Sequence, residues 1–199
     1  MYGMFNKCSK FNQPLNKWNV SKVQDMELMF SDCLNFNQSL NNWNVSNVEI
    51  MDLMFDGCEN FNQPLSNWNT SNVIYMSYMF DGCKNFNQDL NNWNVSNVEA
   101  MNGMFSRCNS FNQPLDNWNV SNVKNMRCLF WWTKCFDQNI ENWDVGNVES
   151  MEAMFSEHKQ RLSEIPERRG RDIIISSTHH LQDSHVPRPR ARRVLRDTA

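Results

Sequence analysis

Histidine is missing from residues 1–155, because all four His lie between positions 158 and 185. The same stretch has no glycine-rich phosphate loop and no isolated pair of acidic residues in an apolar setting, so no set of residues suited to catalysis is visible. The four His, taken together with Asp183, match no metal-binding spacing. The sequence therefore predicts a protein that is not an enzyme and that needs neither a metal ion nor a cofactor.

Long apolar runs are also missing, since none approaches the roughly 20 residues that a membrane-spanning helix needs. The first eight residues have neither the charged nor the apolar region of a secretory signal. The formal net charge is only -3, which does not favour a nucleic acid as partner. We therefore predict no membrane span and no nucleic-acid binding, and the sequence alone leaves the localisation open.

The mean charge hides a change in composition near position 156. Residues 1–155 carry more acidic than basic residues, whereas residues 156–199 are rich in Arg. We divide the chain accordingly into a domain over 1–155 and a basic, disordered tail over 156–199. An alternative is that the tail is a frameshifted continuation of the first part, since codons for Glu167–Asp172 read one base later can encode Asn-Val-Gly-Asp-Val.

What residues 1–155 do have is an internal repeat with one fixed period and no insertions. Met, Trp and two Phe positions return at this step. The first Phe series is Phe5, Phe30, Phe55, Phe80, Phe105, Phe130 and Phe155, and the Trp series is Trp18, Trp43, Trp68, Trp93, Trp118 and Trp143. One unit cannot bury enough apolar surface to fold alone, so we expect the units to stack.

Within one unit, two spacings of apolar residues follow each other. Trp43 and Val45 alternate with polar residues, as in a short strand. From Val48 the spacing changes to three and four, which predicts a short helix with Ser46 or Asn47 as its N-cap and Gly57 near its end. The apolar skeleton of the unit is Leu40, Trp43, Val45, Val48, Met51, Met54, Phe55, Cys58 and Phe61.

The opening of the unit, L-x-x-W-x-V-x-x-V, is close to the spacing of leucine-rich repeats. We therefore predict an α/β solenoid: a leucine-rich-repeat-like, right-handed stack of about six 25-residue coils, each with a short strand and a short helix. Five Cys fall at one position of the repeat, which indicates a ladder of buried thiols rather than a disulfide framework.

The motif W-N-V-S-N-V-x-x-M-x-x-M-F-x-x-C-x-x-F-N-Q-P-L is almost intact at 43–65 and 93–115, and its first part recurs at 118–126. It resembles the BspA-type leucine-rich repeats, and in particular the 25-residue repeat of mycoplasma lipoprotein-associated domains of unknown function. The resemblance covers residues 1–155. It implies a surface-exposed interaction protein, used for adhesion or host contact, without enzymatic activity.

If Trp and Val point inward, their polar neighbours point outward and form an uncharged stripe. We call this stripe the Asn face: Asn42, Asn44, Ser46, Asn67, Asn69, Ser71, Asn92, Asn94, Ser96, Asn117, Asn119 and Ser121. One interpretation is a binding surface for a protein or a glycan. The other is that these side chains only satisfy backbone groups in turns and between coils.

The coil around position 130 is the irregular one, because Thr133 stands where the other coils have Cys and two extra Trp precede it. Trp131 and Trp132 are therefore a candidate binding hot-spot on the convex side, with repeat decay as the alternative. Taken together, the sequence predicts a non-enzymatic repeat protein that binds a protein or glycan through the Asn face. The alternative is a structural or remnant fragment without a ligand, and open coil ends predict end-to-end self-association.

Overall fold

The computed structural model describes residues 1–155, which wind into stacked coils, one for each copy of the repeat. We number them from coil 1 (1–25) to coil 6 (126–150), and residues 151–155 begin a further coil. Isolated parallel bridges join the coils: Asp25 to Ile50, Ile50 to Tyr75, Tyr75 to Ala100, Ala100 to Asn125 and Asn125 to Ser150. The predictions for the tail, including the frameshift and the His residues, lie outside the described residues.

The predicted leucine-rich-repeat-like α/β solenoid is wrong. Within residues 1–155 there is no helix and no extended strand, only turns and the single-residue bridges. The segment predicted as a helix, 48–58, contains a run of turns over 52–57 instead, and the other coils have turns at the equivalent positions. Each coil is therefore held by tight turns along its own length and by hydrogen bonds to its neighbours.

The hydrogen bonds of residues 26–33 explain why this segment is not a helix. Alternate N–H groups close turns three residues back: Met29 to Met26 (3.2 Å), Ser31 to Leu28 (3.2 Å) and Cys33 to Phe30 (2.9 Å). The N–H groups between them donate to carbonyls of the next coil: Leu28 to Asp52 (3.0 Å), Phe30 to Met54 (2.9 Å) and Asp32 to Asp56 (2.7 Å). A helix would direct them all four residues back, so contact with the next coil replaces helical bonding.

Two residues of each run have left-handed backbone. Leu28 has a φ of 58° and Asp32 a φ of 59°, and the equivalent residues of the other coils share this conformation. Each stands third in a four-residue turn, the position at which a type II turn requires a positive φ. Gly57 occupies the position of Asp32 in coil 3, with a φ of 71°. Gly57, which was predicted to lie near the end of a helix, is therefore part of a turn.

The apolar skeleton was predicted correctly even though the backbone was not. All nine skeleton residues from Leu40 to Phe61 are buried, and Asn42 and Asn44 point outward beside Trp43. The Phe rings form a continuous stack through the core, with centroids 5.6 Å apart from Phe30 to Phe55. The sequence spacing therefore identified which side chains face inward, whichever backbone brings them there.

Polar groups inside the core are used to join neighbouring coils. The indole Nε1 of Trp43 donates to the carbonyl of Leu15 in the preceding coil (3.0 Å), and each later Trp repeats this bond. The thiol of Cys58 donates in the same way to the carbonyl of Phe30 (3.0 Å). In coil 6 the hydroxyl of Thr133 makes the equivalent bond to Phe105. The Cys position is therefore a donor position, which Thr also fills.

Candidate binding faces

The Asn residues of the Asn face are exposed, but the residues of the face differ in what they do. In each coil's set of three residues, such as Asn42, Asn44 and Ser46, the two Asn are exposed and the Ser is half-buried. The face runs along coils 2 to 5, one set of three residues per coil. Because the coils are in register, equivalent side chains lie about 4.8 Å apart along the stack, the spacing of neighbouring strands.

The second Asn of each set has a structural role. The Oδ1 of Asn44 accepts a hydrogen bond from the backbone N–H of Ser46 (3.1 Å), which closes a local turn. The same bond recurs at Asn69, Asn94 and Asn119. The interpretation that Asn residues satisfy turn backbone is therefore correct for these four, and their amides are only partly available to a ligand.

The first Asn of each set has no such role. Within residues 1–155 the side-chain amides of Asn42, Asn67, Asn92 and Asn117 donate to and accept from no other group of the protein. Coil 1 has Lys17 at this position, so packing does not require an amide there. Among the Asn residues of the face, these four are the ones whose side chains folding does not use.

The sequence interpretation missed a neighbouring set of Asn residues that joins the coils. The Nδ2 of Asn47 donates to the carbonyl of Ser21 in the preceding coil (2.6 Å). Asn72, Asn97, Asn122 and Asn147 repeat the bond. The backbone carbonyl and N–H groups of the Ser residues are thus hydrogen-bonded within the protein. The hydroxyls are the groups that these Ser residues still offer to a ligand on the Asn face. Asn47 and its equivalents recur in coils 2 to 6 without variation, and this recurrence is the sequence signal that could have identified them.

A shallow hollow of about 310 Å³ lies on the Asn face between coils 2 and 3. Amide side chains line it, together with the edges of Trp43 and Val45: Asn41, Asn42, Asn44, Asn67 and Asn69. None of these residues is charged, although 21% of the chain is Asp, Glu, Lys or Arg. The hollow therefore offers hydrogen-bond donors and acceptors without an electrostatic preference for a charged ligand.

A second set of positions, in the turn runs, also differs between coils, and most of its residues are buried or half-buried. We call it the turn face: the second, third, sixth and seventh residues of coils 2 to 6. In chain order these are Glu27, Leu28, Ser31, Asp32, Asp52, Leu53, Asp56, Gly57, Ser77, Tyr78, Asp81, Gly82, Asn102, Gly103, Ser106, Arg107, Arg127, Cys128, Trp131 and Trp132. Variation between coils was the sequence signal for this surface.

The charge of the turn face changes along the stack, from Asp and Glu in coils 2 to 4 to Arg in coils 5 and 6. The two regions meet at a bidentate ion pair, in which Arg107 Nε lies 2.9 Å from Asp81 Oδ1 and Arg107 Nη2 lies 2.5 Å from Asp81 Oδ2. The hydrogen bond that Asp81 accepts raises the pKa of the Arg107 guanidinium. This pair fixes Arg107 on the protein, which makes it a structural residue.

The structure brings the candidate hot-spot residues Trp131 and Trp132 together on the turn face of coil 6. Their rings are tilted by 51° with centroids 5.8 Å apart. Trp131 is half-buried and Trp132 is 37% exposed, with the Lys134 ammonium 5.2 Å from its ring centroid. The pair forms an exposed aromatic and cationic patch, and its role in binding stays a prediction.

Among residues 1–155 no group of three His, Cys, Asp or Glu is placed to hold a metal ion. Burial raises the pKa of the Cys58, Cys83 and Cys108 thiols well above the usual range, so these thiols stay protonated and unreactive. In that part of the chain no helix has the length and apolar character needed to cross a membrane.

Two overlapping parts of the chain, residues 1–77 and 62–167, match the family model described as a Mycoplasma protein of unknown function, DUF285. The chain belongs to the DUF285 family. The match extends over both the Asn face and the turn face, so DUF285 membership applies to all described coils. No curated protein and no solved structure matched the chain.

Proposed function

We propose that this DUF285 protein is a non-enzymatic binding module that contacts a protein or another surface ligand through the Asn face. One observation supports the proposal above all. Asn42, Asn67, Asn92 and Asn117 present exposed amides at the same position of four successive coils, and no other group of the described chain uses them. A ligand that contacts several coils would gain affinity from each of them.

The likeness of the repeat motif to BspA-type surface repeats is a second support, since that class is used for adhesion and host contact. We therefore propose cell-surface contact as the setting in which the Asn face acts. The alternative is a structural or remnant array without a ligand of its own. The turn bonds of Asn44 and its equivalents favour that alternative for half of the amides.

The experiment compares the full chain with Asn67→Asp and with Asn92→Asp on an array of immobilised matrix proteins and glycans. Asn109→Asp is the matched control, because Asn109 is exposed, lies outside the Asn face and receives the same charge. We expect weaker capture for the two face variants and unchanged capture for the control. Equal capture of all four proteins, or capture of none, would favour the structural alternative.

We also propose end-to-end association through coil 1. Trp18 is 39% exposed, whereas the Trp residues of the coils that follow it are 3–4% exposed. An apolar coil surface of this kind favours contact with a like surface. Sedimentation of the full chain should give a larger mass than that of the variant Trp18→Ser. A monomeric wild-type chain at high concentration would contradict this.

A further inference from the structure

The Asn face combines three properties that together restrict the chemistry of its ligand. It repeats at the coil spacing, it carries no charge in coils 2 to 5, and its exposed groups are amides and hydroxyls. A ligand that matches all three has hydrogen-bonding groups at a regular spacing along a neutral chain. This step rests on the proposed function, since it concerns the same face.

From these properties we infer that the ligand is a neutral linear polysaccharide that lies along the stack. An amide side chain supplies both a donor and an acceptor, which complements a sugar hydroxyl that is itself both. The hollow between coils 2 and 3 has room for part of a sugar ring, with Asn42 and Asn67 on its two sides. Trp43 and Val45 also line the hollow, although both are almost fully buried.

A protein ligand fits the Asn face less well. Binding hot-spots between proteins are enriched in Trp, Tyr and Arg, whereas Ser is under-represented in them. In coils 2 to 5 the Asn face has no exposed side chain of the three enriched types, and the Trp residues beneath it are 3% exposed. The aromatic and Arg residues that a protein partner would favour are on the turn face instead, at Arg127, Trp131 and Trp132.

The repeat along the stack predicts how binding depends on ligand length. Each further sugar unit reaches amides of another coil, so affinity should rise with the number of units until the ligand spans coils 2 to 5. Because neither partner is charged, binding should change little between low and high salt. A sulfated polysaccharide would behave in the opposite way, because its attraction to Lys and Arg is screened by salt.

The test measures binding of the full chain to cellulose, chitin and mixed-linkage β-glucan, and to soluble oligosaccharides of increasing length from each. The variants are Asn67→Ala with Asn92→Ala, and the matched control is Asn109→Ala with Ser110→Ala, two exposed residues outside the face. All proteins are first compared by thermal melting, so that a loss of folding is recognised. We expect length-dependent, salt-independent binding that falls roughly tenfold in the face variant alone.

The possible outcomes separate this inference from the proposed function. If none of the neutral polysaccharides binds while an immobilised protein is captured through Asn67 and Asn92, the proposed function stands and the polysaccharide inference is wrong. Binding that weakens strongly with rising salt also contradicts the inference. If no probe of any class responds to the Asn67 and Asn92 substitutions, both are wrong.

Discussion

At the scale of single residues, the position occupied by Cys in coils 2 to 5 is defined by a hydrogen bond. The Cys83 thiol donates to the Phe55 carbonyl at 3.0 Å inside the core. Thr133 occupies the same position in coil 6 and donates to Phe105 through its hydroxyl. The position therefore requires a small side chain that can donate, and sulfur itself is not required.

This leads to a comparison of Cys83→Thr with Cys83→Val. Thr keeps the donor and Val removes it with almost the same shape, so Val should lower the free energy of unfolding by about 1 kcal/mol more than Thr. Urea unfolding of the full chain measures both values. If the two variants are equally stable, the thiol bond does not contribute to the fold.

The buried thiols also predict how stability depends on pH. Burial raises the pKa of the Cys83 thiol well above its ordinary value of 9.0, and that of Cys33 to about 12. In the unfolded chain the thiols lose protons from about pH 9 upward, whereas in the folded chain they keep them. Stability is thus fully present below pH 9 and is lost as the pH rises toward the folded pKa values.

Each buried thiol should contribute a loss of about 1.4 kcal/mol per pH unit in this window. Removing one with Cys83→Thr should make the fall in unfolding free energy between pH 9 and pH 10.5 shallower by about that amount per unit. Urea unfolding at several pH values measures the slope. An unchanged slope in the Thr variant would contradict burial of the Cys83 thiol.

At the scale of the structural element, the run of turns shows how far the sequence could predict this fold. The spacing of three and four identified Met51, Met54, Phe55 and Cys58 as inward-facing, and all four are buried. It did not identify the backbone, because a helix and a run of tight turns can bury the same positions. What decides between them is a hydrogen bond to a carbonyl of the next coil, which local periodicity does not contain.

One signal in the sequence did point to the turns. Gly3 and Gly103 stand in the middle of the predicted helices, where glycine is unfavourable, and both have left-handed backbone. The exposed Asn stripe, in contrast, was predictable, since it depends only on alternation with Trp and Val. The sequence could not predict which Asn side chains accept hydrogen bonds in turns, because that depends on atomic distances.

Two glycines test the left-handed positions. A Cβ on Gly82 would meet nothing closer than the Cα of Gly57 at 3.6 Å, so Gly82→Ala should cost about 1–2 kcal/mol from the backbone alone. A Cβ on Gly103 would overlap the ring of Tyr78. Gly103→Ala should therefore cost about 1–3 kcal/mol more, from overpacking.

Thermal or urea unfolding of the two Ala variants measures this difference. Each variant serves as the control for the other, since both place the same side chain on left-handed backbone. If Gly103→Ala is no less stable than Gly82→Ala, the Tyr78 ring does not cover Gly103. If neither variant loses stability, these residues are not left-handed.

At the scale of the whole molecule, stability depends on neighbours on both sides of a coil. Phe80 stacks between Phe55 (5.6 Å) and Phe105 (5.9 Å) and is fully buried. Phe5 in coil 1 stacks on Phe30 (5.6 Å) in the following coil and is only half-buried. The same residue type therefore has a different energetic weight at the centre and at the end of the stack.

We expect Phe80→Ala to lower the free energy of unfolding by about 3–5 kcal/mol, the usual cost of such a truncation in a packed core. Phe5→Ala should cost clearly less, because part of its ring is already in water. Urea unfolding of the full chain compares the two. Equal losses would mean that coil 1 is covered as completely as coil 4.

The strict register of the repeat has a consequence for how this protein can change over generations. Each coil presents the same bonds to the coil before it and the coil after it, from the indole of Trp68 to the amide of Asn72. In-frame gain or loss of one whole unit by recombination between its near-identical copies would therefore join surfaces that already fit. The molecule would become longer or shorter by one set of exposed amides, so under the proposed function a lineage could adjust its reach along a ligand by copy number, without a single substitution.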